Sequence, residues 1–214
     1  MSAIKPIIRE LKQAALKGGV HARDRLHQVT DNMNDHLESV VRQVRGNDRF
    51  ESSIDVSLKR FKRNPKHDST EYNSQYNEQM DTLQSMSAAD WLRNRIEYLN
   101  NGRTSDSLRA QQDAREDALQ NRIAELIEND DMDFDQATEV AERWMTTQAA
   151  LHRLDGIAGG DVTDVPRVGD TRINSSLGSQ WRSRVGDIDT AIIDFVNANP
   201  GVDLNNVNIN VILR

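Results

Sequence analysis

The chain has 214 residues, a formal net charge of -7 and no cysteine. That length suffices for one large domain with a core of its own, and the missing cysteines exclude disulfides, thiolate zinc sites and cysteine nucleophiles. The acidic balance excludes binding to nucleic acid through overall charge, so any such site has to be a local patch.

From Met1 to Val20, the residues Arg9, Glu10, Lys12 and Gln13 interrupt any signal-peptide core. No apolar run reaches the roughly twenty residues of a bilayer span. A soluble chain that is not exported by the Sec route is expected. Residues 4 to 45 read as one or two helices broken near Lys17-Gly18-Gly19, the second with Leu26, Val29, Met33, Leu37, Val40 and Val44 at helical spacing. The stretch Leu58 to His67 holds Lys59, Arg60, Lys62, Arg63 and Lys66 with no acid. It reads either as a solvated hinge or as a phosphate-contacting arm. With Pro65 it places a domain edge there, dividing the chain into a helical lead-in or adaptor over 1–65 and the principal domain over 66–214.

Asp68-Ser69-Thr70 can restart a helix, expected from about Thr70 to Leu83, and Ser87 is an N-cap for a helix carrying Ala88, Trp91, Leu92, Arg95, Ile96 and Leu99. Arg95 lies four residues from both Trp91 and Leu99. On that apolar face its guanidinium needs a carboxylate, a carbonyl or a ligand phosphate. Asn100-Asn101-Gly102 ends this helix, and Ser105 can cap a long one with Leu108, Gln112, Arg115, Leu119, Arg122 and Leu126 on a stripe. Polar residues on two successive apolar faces point to a polar interior or a cleft. Asp133 can cap a helix with Phe134, Ala137, Ala141, Trp144, Gln148 and Leu151, expected to run directly into His152. Gly156, Gly159, Gly160, Pro166 and Gly169 argue against regular structure until about Ser179. Trp181, Val185, Ile188, Ile192 and Phe195 mark a last helix, closed by Asn199-Pro200-Gly201. The tail Val207, Ile209, Val211 and Leu213 alternates as a strand, which needs a partner. The expected class is mainly α: an irregular helical domain with a long Gly/Ser-rich active-site loop and a short C-terminal strand.

At a helix end, residues three apart project on one side, so His152 and Asp155 can converge. In phosphodiester hydrolysis a histidine can take a proton from water at neutral pH, while a carboxylate orients the imidazole or holds a divalent cation. An isolated H-x-x-D pair arises often by chance, as an exposed helix-terminal His beside a C-cap turn. Here it is followed by Asp161, Asp164 and Asp170, then by Arg172-Ile173-Asn174-Ser175-Ser176-Leu177-Gly178-Ser179-Gln180-Trp181-Arg182-Ser183-Arg184. Backbone N–H groups of a Gly/Ser loop before a helix, with arginines, form an anion cradle; the alternative is a polar loop that caps the Trp181 helix. Asp161 and Asp170 join Asp155 as candidate metal ligands. Positive charge is expected to cluster at Arg172, Arg182 and Arg184, facing the His152 cleft.

These residues resemble the novel toxin 15 class of polymorphic-toxin domains, H-x-x-D nucleases deployed between competing bacteria. The resemblance rests on Leu151-His152-Arg153-Leu154-Asp155-Gly156-Ile157-Ala158-Gly159-Gly160, on Gly169-Asp170, and on Asn174 to Trp181 with Arg184. Upstream it takes in Tyr76, Gln79, Met80, Trp91, Leu92, Asn94, Arg95, Tyr98, Gly102 and Arg103, then Gln112 and Arg115. It implies a mainly helical, magnesium-dependent DNase toxin with a cognate immunity protein, secreted by a specialised system and acting in the target-cell cytoplasm. It makes His152 and Asp155 the catalytic pair, and Arg95, Arg103, Asn174, Ser175, Gln180 and Arg184 support or phosphate contacts. A ribonuclease using the same pair, or a non-enzymatic helical interaction module, are the competing readings.

Overall fold

The computed structural model describes residues 50–214; the helices expected over 4–45 lie outside them. In Ser52–Leu58 (β1), Ile54, Val56 and Leu58 are buried and the residues between them exposed, the period-two pattern of a half-buried strand. β1 pairs in parallel with Val207–Leu213 (β4) over seven residues, from Ser52 opposite Val207 to Leu58 opposite Leu213. The partner that the alternating tail requires is thus within the chain. Parallel strands need a long crossover, and here the crossover is the helical body between them. The buried face of this pair packs with Leu83, Trp91, Leu92, Trp181, Ile188 and Ile192 into the main core.

Most helices begin where side-chain caps predict. Asp68 accepts from the Glu71 amide at 2.8 Å and starts Ser69–Ser85 (α1), and Ser87 accepts from the Asp90 amide at 3.0 Å and starts Ala88–Asn101 (α2). In Ser105–Asp130 (α3) the cap is Thr104, one residue before the expected Ser105, with its hydroxyl accepting from the Ser107 amide at 3.2 Å. Asp133 caps Phe134–Met145 (α4). α3 and α4 pack around a small second core of Ile123, Leu126, Ala137 and Ala141. The long stripe expected on α3 is buried only in its C-terminal part, since Leu108 and Gln112 are exposed. Arg115 instead ties α3 to the end of α4 and the chain just beyond it, donating to the carbonyls of Gln148 at 2.7 Å and Met145 at 3.3 Å.

Two stretches differ from expectation. α4 does not run into His152: the hydroxyls of Thr146 and Thr147 turn back onto the carbonyls of Arg143 and Trp144, each at 2.7 Å, where they compete with helix continuation. Gln148–Leu151 (β2) then pairs antiparallel with Arg167–Asp170 (β3), so His152 follows a strand. Regular structure also resumes well before Ser179, because Thr171–Trp181 is helical (α5). Asp170 caps it by accepting from the amides of Arg172 and Ile173 at 2.8 and 3.2 Å, and Ile173, Leu177 and Trp181 point inward one turn apart. The irregular loop is therefore confined to residues 152–166. Val185–Ala198 (α6) completes the body. Among the described residues no helix is long and apolar enough to cross a membrane.

Candidate active site

The loop after β2 is held from one side by α2. Trp91, Asn94 and Tyr98 lie along one flank of that helix, at spacings of three and four residues. The Trp91 indole N–H donates to the Ala158 carbonyl at 2.7 Å, and the Asn94 amide to the Gly159 carbonyl at 3.1 Å. Gly159 has φ +87°, and a Cβ there would lie 2.5 Å from the indole nitrogen, so both backbone and space demand glycine. Within His152-Arg153-Leu154-Asp155, the middle residues anchor the segment in opposite directions. Leu154 is buried in the main core. Arg153 faces out, with Nε 3.1 Å from Asp164 and Nη1 3.8 Å from Glu78, while Glu78 also holds Arg167 at 2.9 Å. The flanking His152 and Asp155 are both half-buried.

Asp155 caps the short 3-10 turn Gly156–Ala158, its Oδ1 accepting from the Ile157 amide at 3.0 Å. Its Oδ2 approaches α5 so closely that a Cβ at Gly178 would come within 2.8 Å of it. The imidazole of His152 has its Nδ1 shielded from solvent and without a hydrogen-bond partner, a deficiency that costs about 1–3 kcal/mol. Burial lowers its pKa below the ordinary 6.5; Asp155, Asp161 and Asp164 oppose this, and Arg103 adds to it. The ring is neutral at neutral pH, able to accept a proton. Asp161 lines a polar pocket of about 360 Å³ between the loop, α2 and the start of α3, with Asn94, Glu97, Tyr98 and Thr104 among its walls; His152 and Asp155 are not among them. A larger cavity of about 610 Å³ between α3 and residues 165–168 contains none of the candidate catalytic residues.

A family model described as Novel toxin 15 matches residues 66–212. The chain belongs to the novel toxin 15 family. Among curated proteins no relative matches. The novel toxin 15 match begins beyond β1, although β1 pairs with β4 along its whole length.

The other residues expected at the site, from the novel toxin 15 resemblance or, for Arg182, from the local run of basic residues, fall into two groups. Arg103 is exposed in the turn between α2 and α3, and its charge reaches His152. Ser175 and Arg182 are exposed on α5 and at its C-terminal end, and Asn174 is half-buried. The second group is occupied with the fold. Arg95 is buried on the apolar face and meets the carboxylate of Asp189 at 3.5 Å; burial raises the Asp189 pKa and Arg95 opposes the rise. Gln180 clasps Lys62, accepting from its amide at 2.8 Å and donating to its carbonyl at 3.1 Å. Arg184 is buried and donates to the carbonyls of Lys59, Arg60 and Gln180 at 2.6–2.7 Å. It also lies 4.2 Å from the centre of the Phe61 ring. The expected cluster of Arg172, Arg182 and Arg184 does not form: Arg172 is paired with Asp170 at 2.9 Å, and Arg184 is internal.

Among the described residues no three His, Asp or Glu side chains form a ready-made metal cage. Asp170 is committed elsewhere, with both oxygens engaged by the start of α5 and by Arg172; the Arg172 hydrogen bond, above all, holds its pKa down at about 2. The same capping takes up the amides expected to cradle an anion. Asp155 and Asp161 each keep one oxygen outside their local hydrogen bonds, since Oδ1 of Asp161 serves Thr163. The signals for Trp91, Asn94 and Tyr98 as loop holders, and for Gly178 as the seat of Asp155, were their helical spacing and a glycine inside an amphipathic helix.

Proposed function

We propose that this toxin domain is a nuclease that hydrolyses phosphodiester bonds of DNA in the target cell, with His152 and Asp155 as its working pair. The observation that supports this most is the half-buried His152, with a shielded, partnerless Nδ1, set among three carboxylates and Arg103 on a tightly held loop. In this reading a water oxygen bonds to phosphorus, its proton passes to His152, and the bond from phosphorus to the sugar oxygen breaks. Asp155 supplies negative charge that favours the protonated ring and a carboxylate oxygen for the attacking water. Arg103 offers its guanidinium to the phosphate. Asn174, Ser175 and Arg182 line the approach along α5.

A magnesium ion would suit carboxylate donors of this kind, because that ion takes one or two carboxylates and completes its shell with water and substrate phosphate oxygens. Asp155 and Asp161 are the residues that would hold it; Asp170 is not. Once bound it would neutralise phosphate charge. A ribonuclease without a metal requirement is the second reading, favoured by the lack of a three-ligand cage among the described residues. Delivery by a specialised secretion system and restraint by a cognate immunity protein, with an acidic surface over the cleft, complete the proposal.

Plasmid and RNA degradation by the purified chain, with magnesium or EDTA, tests it against His152→Ala and Asp155→Ala. The expected outcome is magnesium-dependent loss of DNA that both substitutions abolish. RNA loss in EDTA would shift the assignment to the second reading. Activity on neither substrate, or activity that survives both substitutions, would remove the nuclease reading in favour of an interaction module.

A further inference from the structure

The basic run from Lys59 to Lys66 is not a loose hinge. Its backbone is fastened to the body at three residues, through the carbonyls of Lys59 and Arg60 on Arg184 and through both backbone groups of Lys62 on Gln180. The ring of Phe61 fills the space between, 4.8 Å from Trp181 and 5.4 Å from Tyr76. The side chains of Lys59, Arg60, Lys62, Arg63 and Lys66 are all exposed. Among the described residues none of the five is in an ion pair with a carboxylate, in a chain whose net charge is -7. Five cations on an anchored segment lose little further backbone freedom on meeting a partner, which favours binding.

The position of this strap gives it a partner. Asp155 sits against Gly178 and Lys62 against Gln180. Those two α5 residues are about 200° apart around a helix of 3.6 residues per turn. The strap and the candidate catalytic loop therefore grip opposite flanks of α5, whose outward face between them carries the exposed Ser175, Ser179 and Arg182. A helix is about 10–12 Å across with its side chains, which about three phosphates of one strand cover at about 3.4 Å of axis each. A strand with one phosphate at Asp155 thus has phosphates within reach of the strap.

We infer that the Lys59–Lys66 strap is the nucleic-acid backbone clamp of this toxin, holding the substrate strand across α5 while the His152/Asp155 loop engages the bond to be cut. The inference rests on the nuclease reading. An acidic protein partner is the alternative occupant.

The test is binding of a fluorescent 20-base-pair DNA duplex (a probe length of about two helical turns) by the full chain in EDTA over a range of salt. The variant replaces Lys59, Arg60, Lys62, Arg63 and Lys66 by Gln, which leaves the anchors on Arg184 and Gln180 in place and removes only the Arg63 bond to the His67 carbonyl. It should raise Kd about tenfold or more. It should also flatten log K against log salt by about 0.9 for each phosphate that is no longer neutralised, while cleavage at saturating DNA stays within about twofold. Lys66→Gln alone, away from Arg184, should flatten the slope by about 0.9, the value for one phosphate. Lys59→Arg, Lys62→Arg and Lys66→Arg together should keep native binding, as should Arg109→Gln with Arg143→Gln. A native chain that cuts DNA, beside a folded five-site variant that binds with native affinity and slope, would overturn the clamp alone. So would a variant that keeps DNA binding but loses an acidic protein partner. A native chain that neither binds nor cuts nucleic acid would overturn the clamp and the nuclease reading together.

Discussion

Arg184 and His152 are both basic and both at least partly withdrawn from water, yet the fold treats them oppositely. The guanidinium of Arg184 spends its N–H groups on three backbone carbonyls and the Ser183 hydroxyl, with an aromatic ring alongside. The imidazole of His152 keeps a shielded nitrogen with no partner. Most buried polar groups that serve a structure are saturated, because every missing hydrogen bond costs stability; Arg95, with its Nε and Nη1 unpartnered, is an exception here. A group held ready for a reaction keeps a bond in reserve. The motif alone gives both residues similar standing; satisfaction of their hydrogen bonds separates them.

The most severe way to break this contrast is to remove the ground beneath Arg184. A chain starting at Lys66 keeps the family match but loses β1 and the two carbonyls that Arg184 holds. Burial of Ile54, Val56 and Leu58 contributes about 1.5–3 kcal/mol each, comparable in sum to the whole stability of a typical domain. Circular dichroism should show this truncated chain unfolded or molten. Arg184→Met is the milder form: it strands buried carbonyls and should lower the unfolding free energy in urea by about 3–5 kcal/mol. Cleavage per folded molecule at saturating DNA should be unchanged, while DNA binding weakens because the strap loses two of its backbone anchors.

The contrast sharpens at Gly178→Ala. Alanine favours a helix interior over glycine by about 0.5–1 kcal/mol, so stability should hold or rise. The new methyl must displace the Asp155 carboxylate, whose Oδ2 would be 2.8 Å away. Cleavage should fall about tenfold to 100-fold. The smallest effect lies in pH. The folded pKa of His152 is below 6.5, so on acidification the unfolded chain takes up the proton first. Its contribution is intact above 6.5 and is lost as pH falls from there toward the folded value. Native protein should lose more stability between pH 7.5 and 5.5 than His152→Ala, by less than about 1.4 kcal/mol per unit. Asp170, held at about 2, behaves as a depressed carboxyl: its contribution is intact above 3.8 and is lost as pH falls from 3.8 toward 2.

Local signals made much of the helical body legible. Asp68, Ser87 and Asp133 cap α1, α2 and α4 as their residue types predict. β4 was visible in its alternation, and Ile54, Val56 and Leu58 carried the same signal for β1 but were overshadowed by the basic run beside them. β2 was concealed because Gln148 and Leu151 continue the period of α4; only pairing with β3 decides it. α5 was concealed by glycine and serine, which lower helix propensity, although Ile173, Leu177 and Trp181 mark its buried side. The His152/Asp155 motif and its family were legible. The commitments of Gln180, Arg184 and Asp170 were not, since a side chain's hydrogen-bond partners depend on elements distant in sequence.

Partner saturation separates Arg184 from His152, in keeping with a scaffold role for the first and the proposed catalytic role for the second. Its most direct test is one paired measurement, urea unfolding and magnesium-dependent cleavage at saturating DNA on the same preparations of His152→Ala and Arg184→Met. The histidine variant should unfold within about 1 kcal/mol of native while its cleavage falls at least about 100-fold, and the arginine variant should show the reverse. A histidine variant that is destabilised as strongly as the arginine one, yet cuts DNA at the native rate per folded molecule, would contradict that division.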